Sequence, residues 1–498
     1  MPKGSYVPKF EPASILRPAF QAPGTVVGTH RPKAIAVLPF LNLSSDNENE
    51  YFSDGLTEEI IHALGKVKGM SVVARTSVFQ FKGRAYDIRK LGEQLNVQTV
   101  LEGSVRKAGE RLRITAQLIN VLDGYHRWSE TYERKMEDVF AVQEEISNAI
   151  VNALKPFCQE EPAVVRRASE NLEAYHLFFL KGRFHNRKRT EDGLKRAIEF
   201  FHQATEIDPN HAAAYAGLAE SFSLLAHKGL FWPREVMPKA RTAALKAIAL
   251  DGQVSEAHMA FGFVKSVYEW KWEKAECHYQ QALQVASYGN AEAHHWYSSD
   301  YLAPLGRLDE ALEQMLHAQF VDPLSHLINS SLGFVLIMRR EYDQTIDHYR
   351  KCLELDPSYY HFYTGLGRAY AQKGMLAKAL EHFLKGKELS GHLPYITGII
   401  AYCHAMMGRF SRAEKLLAEL LLLARQRYIP STTLALVYSG LNNRDEAFRW
   451  LERAFAEREC SLVYLNVYPT YDNLRQDPRF HDLVHRIGFP SAPPVRLA

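Results

Sequence analysis

Between about Asn171 and Glu459 the chain repeats itself at a step of 34 residues, and a fixed period of this kind constrains the fold more than any composition does. Ala311, Thr345, Ala379, Ala413 and Ala447 follow one another at that step, as do Gly333, Gly367, Ala401 and Ala435. A third series, Met315, Tyr349, Phe383, Leu417 and Leu451, supplies one large apolar side chain per unit. Asp322-Pro323 and Asp356-Pro357 close two successive units. Small residues are needed where two antiparallel helices cross closely, and larger ones such as Leu332, Tyr349 and Leu353 fill the space between units. The proline cannot continue a helix and restricts the residue before it, so it stops one helix and re-aims the chain. No single unit can bury its apolar face alone, so neighbours must stack. The pattern predicts about eight helix-turn-helix units over 171–460. The second carries a longer connection around Gly229 to Pro238, and the third slips by about a residue near Trp270 and Trp272. This pattern resembles the tetratricopeptide repeat family.

At 498 residues the chain is too long for one compact core, so a second domain or a solenoid is expected. It is 46% hydrophobic and 23% charged, the balance of an ordinary folded protein. A net charge of +3 gives no electrostatic case for a nucleic-acid or membrane-surface partner. The five cysteines are scattered without a CxxC pair, which indicates neither a disulfide framework nor a zinc site and suits a reducing compartment. The first 25 residues lack the apolar core of a signal peptide, and no 18-residue apolar run occurs. A cytoplasmic location is expected.

Residues 1–32 carry six prolines and little periodicity, and read as a flexible arm. The next 125 residues, 33–157, predict a mixed α/β (α+β) domain. Strands are expected at Ala34–Phe40 and Met70–Ala74, helices at Glu50–Leu64 and Ile88–Leu95, and a hairpin of Thr99–Arg106 with Arg111–Ile119. A further strand is expected at Tyr125–Arg134, and a helix along Val139, Val142, Ile146, Ala149, Ile150 and Ala153. The segments Ile35–Phe40, Tyr51–Glu59, Val73–Ser77, Val100–Arg106 and Ala116–Asn120 resemble the TolB-amino-terminal-like (FlgO-related) domain. The resemblance continues into a first repeat at Ala174-Tyr175 and Lys181-Gly182-Arg183. It implies a bacterial regulatory protein, in a group where this pair commonly follows a winged helix, an adenylate cyclase domain or a protein kinase domain. At the far end, Val463–Phe489 predicts a helix from about Pro478 that covers the last apolar face, so that 461–498 is a capping segment and tail.

The usual catalytic signatures (GxxxxGK[ST], HExxH, GxSxG, HRD and DFG) do not occur. Gly365-Leu-Gly367 falls where packing requires glycine, and His294-His295 point in different directions on a helix. Ser53-Asp54-Gly55 is expected to open a helix, with Asp54, Glu58 and Glu59 favoured by its dipole and Arg75 nearby, a setting in which a small-ligand site is also considered. The basic run Lys181, Arg183, Arg187, Lys188 and Arg189 reads as the solvated loop of the first repeat. In tetratricopeptide arrays the first helix of each unit lines the concave side. The matching positions here are Leu327, Ser330, Phe334, Ile337 and Met338, then His361, Thr364, Arg368 and Gln372, then Tyr395, Tyr402 and Met406. This lining is aromatic and apolar with one strong cation, Arg368, and lacks the lysine and asparagine clamp of chaperone-tail binders. It suits an amphipathic helix or extended apolar peptide, with Tyr402 and Arg368 as hot spots. The expectation is a non-catalytic protein–protein interaction scaffold with no cofactor or metal. The alternative is the regulatory part of a transcriptional or adenylate-cyclase-linked system whose output domain lies elsewhere.

Overall fold

In the front domain the alternation of side chains divides one strand between two cores. The computed structural model describes residues 33–44, 50–65, 70–108, 111–135, 177–285, 290–391 and 393–490, with isolated positions between them. The arm expected over 1–32 and the tail beyond 490 lie outside the described residues, as does most of the helix expected over 139–153. Strands β1 (Lys33–Val37), β2 (Leu41–Asn42), β3 (Met70–Val72), β4 (Thr99–Ala108), β5 (Arg111–Asn120) and β6 (His126–Lys135) form one mixed sheet, ordered β3-β1-β4-β5-β6 with β2 also beside β4. β1 runs parallel to β3 and β4, and β4, β5 and β6 are antiparallel. Ile35 and Val37 pack with Phe52, Leu56, Ile60 and Leu64 of α1 (Glu50–Gly65). Ala36 and Leu38, one residue out of phase, pack with Val78 of α2 (Arg75–Val78) and with Leu91 and Leu95 of α3 (Ile88–Leu95). Helices thus cover both faces at the parallel end of the sheet.

The rest is helical: α4 (Arg183–Arg187), preceded by a π turn at Leu177–Gly182, then α5 (Glu191–Ile207), α6 (Ala212–His227), α7 (Pro233–Leu250), α8 (Ser255–Phe263) and α9 (Trp272–Val285). α10 (Ala291–Tyr297), α11 (Leu308–Val321), α12 (His326–Met338), α13 (Tyr342–Leu355), α14 (Tyr360–Gln372) and α15 (Leu376–Leu389) follow. The array ends with α16 (Pro394–Met406), α17 (Phe410–Leu423), α18 (Ser431–Gly440) and α19 (Arg444–Glu457). The period has a visible cause. Tyr349 rests on Gly333, where an added Cβ would lie 2.2 Å from its Cζ. Phe383 rests on Gly367 in the same way one unit later. The slip near Trp270 is a π-helical turn at Val264–Tyr268, closed by Glu269 N–H donating to Val264 O at 3.0 Å, which takes up an extra residue. A second π turn, Ser298–Leu302, occurs in the next unit.

The connection expected to run from Gly229 to Pro238 is shorter. Pro233 opens α7 at a position that tolerates proline, and Pro238 sits inside that helix. Past Glu457, two short 3-10 turns, Cys460–Tyr464 and Pro469–Leu474, lead to α20 (Pro478–Ile487). The Asp477 side chain caps α20, and Phe480, Leu483 and Ile487 are buried.

Candidate functional site

The array curls until its last units meet its early ones. Trp232 packs on Tyr428 with ring centroids 4.5 Å apart, Trp270 on Phe455 at 4.9 Å, and Trp272 on Phe489 at 5.2 Å. Pro430 comes so close to Gly229 that an added Cβ would lie 2.6 Å from its Cγ, and Gly229 also has φ +65°, so only glycine suits this position. Tyr464 donates to Ser299 O at 2.8 Å, and Arg340 pairs with Asp472 at 2.7 Å. These contacts surround a cavity of about 1750 Å³ walled by the first helices of the units, the terminal turns, and Glu58, Arg75, Thr76 and Gln80 of the front domain.

At the front-domain end the arginines are paired with acids. Glu58, with a side chain 8% exposed, pairs with Arg183 Nε at 2.8 Å, with Arg187 and, at 3.4 Å, with Arg75. Arg189 reaches Glu292 at 2.6 Å, and Arg183 approaches Glu256 at 3.6 Å. Asp54 holds Lys82 at 2.5 Å. Burial pushes the Arg75 and Arg187 guanidiniums down to about 10. Within the run 181–189, Arg183 and Arg187 are therefore not solvated but join the first repeat to α1, and Arg189 ties it to a later repeat, while Lys188 is exposed. Nor does Ser53-Asp54-Gly55 open a helix, because α1 begins at Glu50 and places Asp54 and Glu58 one turn apart along its length. A second link lies nearby. Asp322 accepts from Thr76 and, at 2.5 Å, from Ser77, whose Oγ in turn accepts from the Leu324 backbone N–H at 2.9 Å. Burial pushes the Asp322 carboxyl up.

Elsewhere on the cavity wall the pattern differs. Arg368 lies between Phe334 and Tyr395, its Cζ 5.8 and 6.0 Å from their ring centroids. Its buried Nε has no hydrogen-bond partner, and no carboxylate pairs with it among the described residues. Lys228, at the carboxyl end of α6, also lines the cavity without an ion pair. Burial, reinforced by Arg189, lowers its pKa to about 8. His361 feels Lys228, Arg368 and His227, and is pushed down to about 3, mostly by burial. Burial and the positive Arg189 push His295 to about 3 as well. Asp300, held by Ser299 at 2.7 Å and close to His227 at 3.7 Å, is raised by burial. Glu220 rises to about 7, by burial and then by Glu292.

Of the lining expected from the repeat positions, Leu327, Ser330, Phe334, His361, Thr364, Arg368 and Tyr395 do face this cavity. The rest do not. Ile337 and Met338 are buried between helices, Met338 with 1% exposure, because α12 is apolar nearly all round and only one stripe faces inward. Tyr402 packs where α16 meets Gly440, Gln372 closes α14, and Met406, 49% exposed at the end of α16, lies off the cavity wall. Lys228, Asp300, Asp322 and Glu459 were not legible as site residues, since each acquires its role from chain far away in sequence. The buried Glu459 carboxylate, for example, accepts from Ser461 at 2.7 Å and the Thr432 N–H at 3.2 Å. His294 bonds Gln314 at 2.7 Å while His295 bonds Ser331 at 2.8 Å, so the two rings diverge. Among the described residues no group of three or more His, Cys, Asp and Glu side chains is placed to hold a metal.

The helical pairs and their small-on-large packing place the array among known proteins. Residues 360–392 match the tetratricopeptide repeat model. The array is a tetratricopeptide repeat superhelix. Residues 31–149 match the model for the second domain of HilA/YgeH-like transcriptional regulators. Putative adenylate cyclase 3 of Rhizobium meliloti is 46% identical over 188 residues, covering 37% of this chain and 32% of that protein. The transcriptional regulator HilA of Salmonella typhimurium is 23% identical over 312 residues, covering 61% of this chain and 54% of HilA. The chain thus spans between a third and about half of the length of these curated relatives. Among solved structures, human IFIT1 with m7Gppp-AAAA is 17% identical with a TM-score of 0.44, covering 64% of this chain and 79% of that one. YrrB, a tetratricopeptide protein with an unusual peptide-binding site, is 22% identical with a TM-score of 0.27, covering 39% and 93%. Both likenesses concern the fold alone.

Proposed function

We propose that this chain is a non-catalytic regulatory interaction module of a bacterial signalling system, with the repeat cavity as the receiving site for an extended segment of a partner protein. One observation carries the reading: the cavity is lined by both domains, so whatever fills it touches the front domain and the array together. Glu58, Arg183 and Arg187 tie the two together at that junction. Leu327, Phe334 and Tyr395 are the apolar anchors for the segment. The relatives favour a transcriptional or adenylate-cyclase-linked setting, because the matched segments form part of longer proteins bearing those names. The likeness of the front segment to the TolB-amino-terminal-like group belongs to the same proposal, and the free cysteines fit a cytoplasmic one.

A peptide array probed with the purified chain tests the reading. Peptides retained by the wild type and released by Tyr395→Ala and Phe334→Ala support it. Equal retention by all three proteins removes the cavity as the partner site.

A further inference from the structure

Among the described residues, the cavity holds charge that no acid neutralises. A buried guanidinium without an acid is costly, and such groups are normally paired or hydrogen-bonded. Every described arginine at the front-domain wall follows that rule; Arg368 does not. Its buried Nε has no partner, and the groups nearest to it are aromatic rings. Lys228, half-buried, also lines the cavity with no ion pair among the described residues, and His361 senses both it and Arg368. Asp300 does not neutralise them; it is engaged by Ser299, Tyr464 and His227. Tyr464 and Tyr468 complete the aromatic surroundings from the terminal turns, both packed on Phe334 at 5.5 and 5.4 Å.

We propose that this end of the cavity is a binding site for a small organic anion carrying an aromatic ring, with its carboxylate or phosphate held by Arg368 and Lys228 and its ring packed among Phe334, Tyr395 and Tyr468. A planar guanidinium with donors in a fork matches either anion, and lysine adds a point charge. Aromatic walls accept a flat ring and exclude water, which strengthens the charge interaction. The cavity of about 1750 Å³ exceeds the roughly 300–1,000 Å³ of common small-ligand sites, so the anion leaves room for a peptide segment. The proposal does not depend on that segment.

The test is calorimetric titration of the full chain with phenyl phosphate, benzoate, inorganic phosphate and benzyl alcohol. Phenyl phosphate or benzoate should bind at millimolar or lower concentration, inorganic phosphate more weakly, and benzyl alcohol not at all. Whichever aromatic anion binds more tightly identifies the head group as phosphate or carboxylate. Arg368→Met and Lys228→Met should each weaken binding by roughly tenfold to a hundredfold, the loss of one charge-assisted contact, while Arg368→Lys retains part of it and Lys415→Met none of the loss. Denaturation curves establish that Arg368→Met folds. Should it not fold, Lys228→Met with Arg368→Lys carries the same comparison. Binding of benzyl alcohol as tight as that of benzoate, unchanged affinity in the charge variants, or no binding by either aromatic anion overturns the proposal. Equal peptide retention by the wild type, Tyr395→Ala and Phe334→Ala, with anion binding intact, would instead overturn only the partner-segment reading.

Discussion

The two ends of the cavity hold cations in opposite ways. Around Glu58, three guanidiniums share one carboxylate and further acids stand behind them. Around Arg368 stand the rings of Phe334 and Tyr395, and no carboxylate pairs with it among the described residues. Both sets are half-buried, so exposure alone does not separate them. What differs is who supplies the counter-charge. At the front-domain end the chain supplies it, and the ion pairs bind two domains together. At the far end it is left to an occupant. A basic residue in a cavity therefore has two distinct meanings, and the presence or absence of an internal acid distinguishes them.

The largest expected effect breaks the paired end. Glu58→Ala leaves Arg75, Arg183 and Arg187 facing one another, and removal of one partner from a buried pair costs about 3–5 kcal/mol. Urea denaturation should show that loss; a change below about 1 kcal/mol would mean solvent already screens the cluster. Asp322→Ala should cost about 1–3 kcal/mol by leaving the Thr76 and Ser77 hydroxyls unsatisfied. Asp356→Ala, at the same repeat position one unit later, should cost less, since Asp356 meets Ser358 and His326 near the surface. Equal costs would deny Asp322 its role as a domain link.

Acid should expose the buried histidines. Burial holds His295 and His361 at about 3, against an ordinary 6.5. As pH drops below about 6.5 the unfolded chain takes up these protons first. The stability tied to the neutral rings is present above that pH and is lost on acidification towards about 3. His295→Gln should flatten the acid limb of a stability–pH curve, and an unaltered slope would place the titrating groups elsewhere. Arg368→Met sharpens the comparison from the other side. Removing an unpaired buried charge should leave stability unchanged or raise it, opposite in sign to Glu58→Ala. The smallest effect is expected at Lys195→Ala, whose pair with Glu191 at 2.7 Å is exposed on α5, within about 0.5 kcal/mol.

Much of the fold was legible because its signals are local. Gly333 and Tyr349, or Ile35 beside Ala36, declare a helix crossing or a two-faced strand within a few residues. The candidate site was only half legible. Repeat positions led to Phe334, His361, Arg368 and Tyr395, whose helices keep the expected phase. They misplaced Met338, Tyr402 and Met406, because a helix buried on most of its circumference gives no sign of which stripe faces inward. Arg183 and Arg187 of the basic run were misread as solvated because their acid, Glu58, is more than a hundred residues upstream.

By itself, the sequence determined the period, the stacked helical pairs, the mixed front domain and the capping helix, all of which follow from side-chain size and spacing along a short stretch. Only the tertiary structure decided that the array curls until Tyr464 meets Ser299, that the front domain forms one wall of the cavity, and that Arg368 has no acid among the described residues. The reason is physical. Local propensity acts over one turn or one pleat, whereas a charge is paired or left unpaired by whatever chain folds against it, and here that chain lies tens to hundreds of residues away.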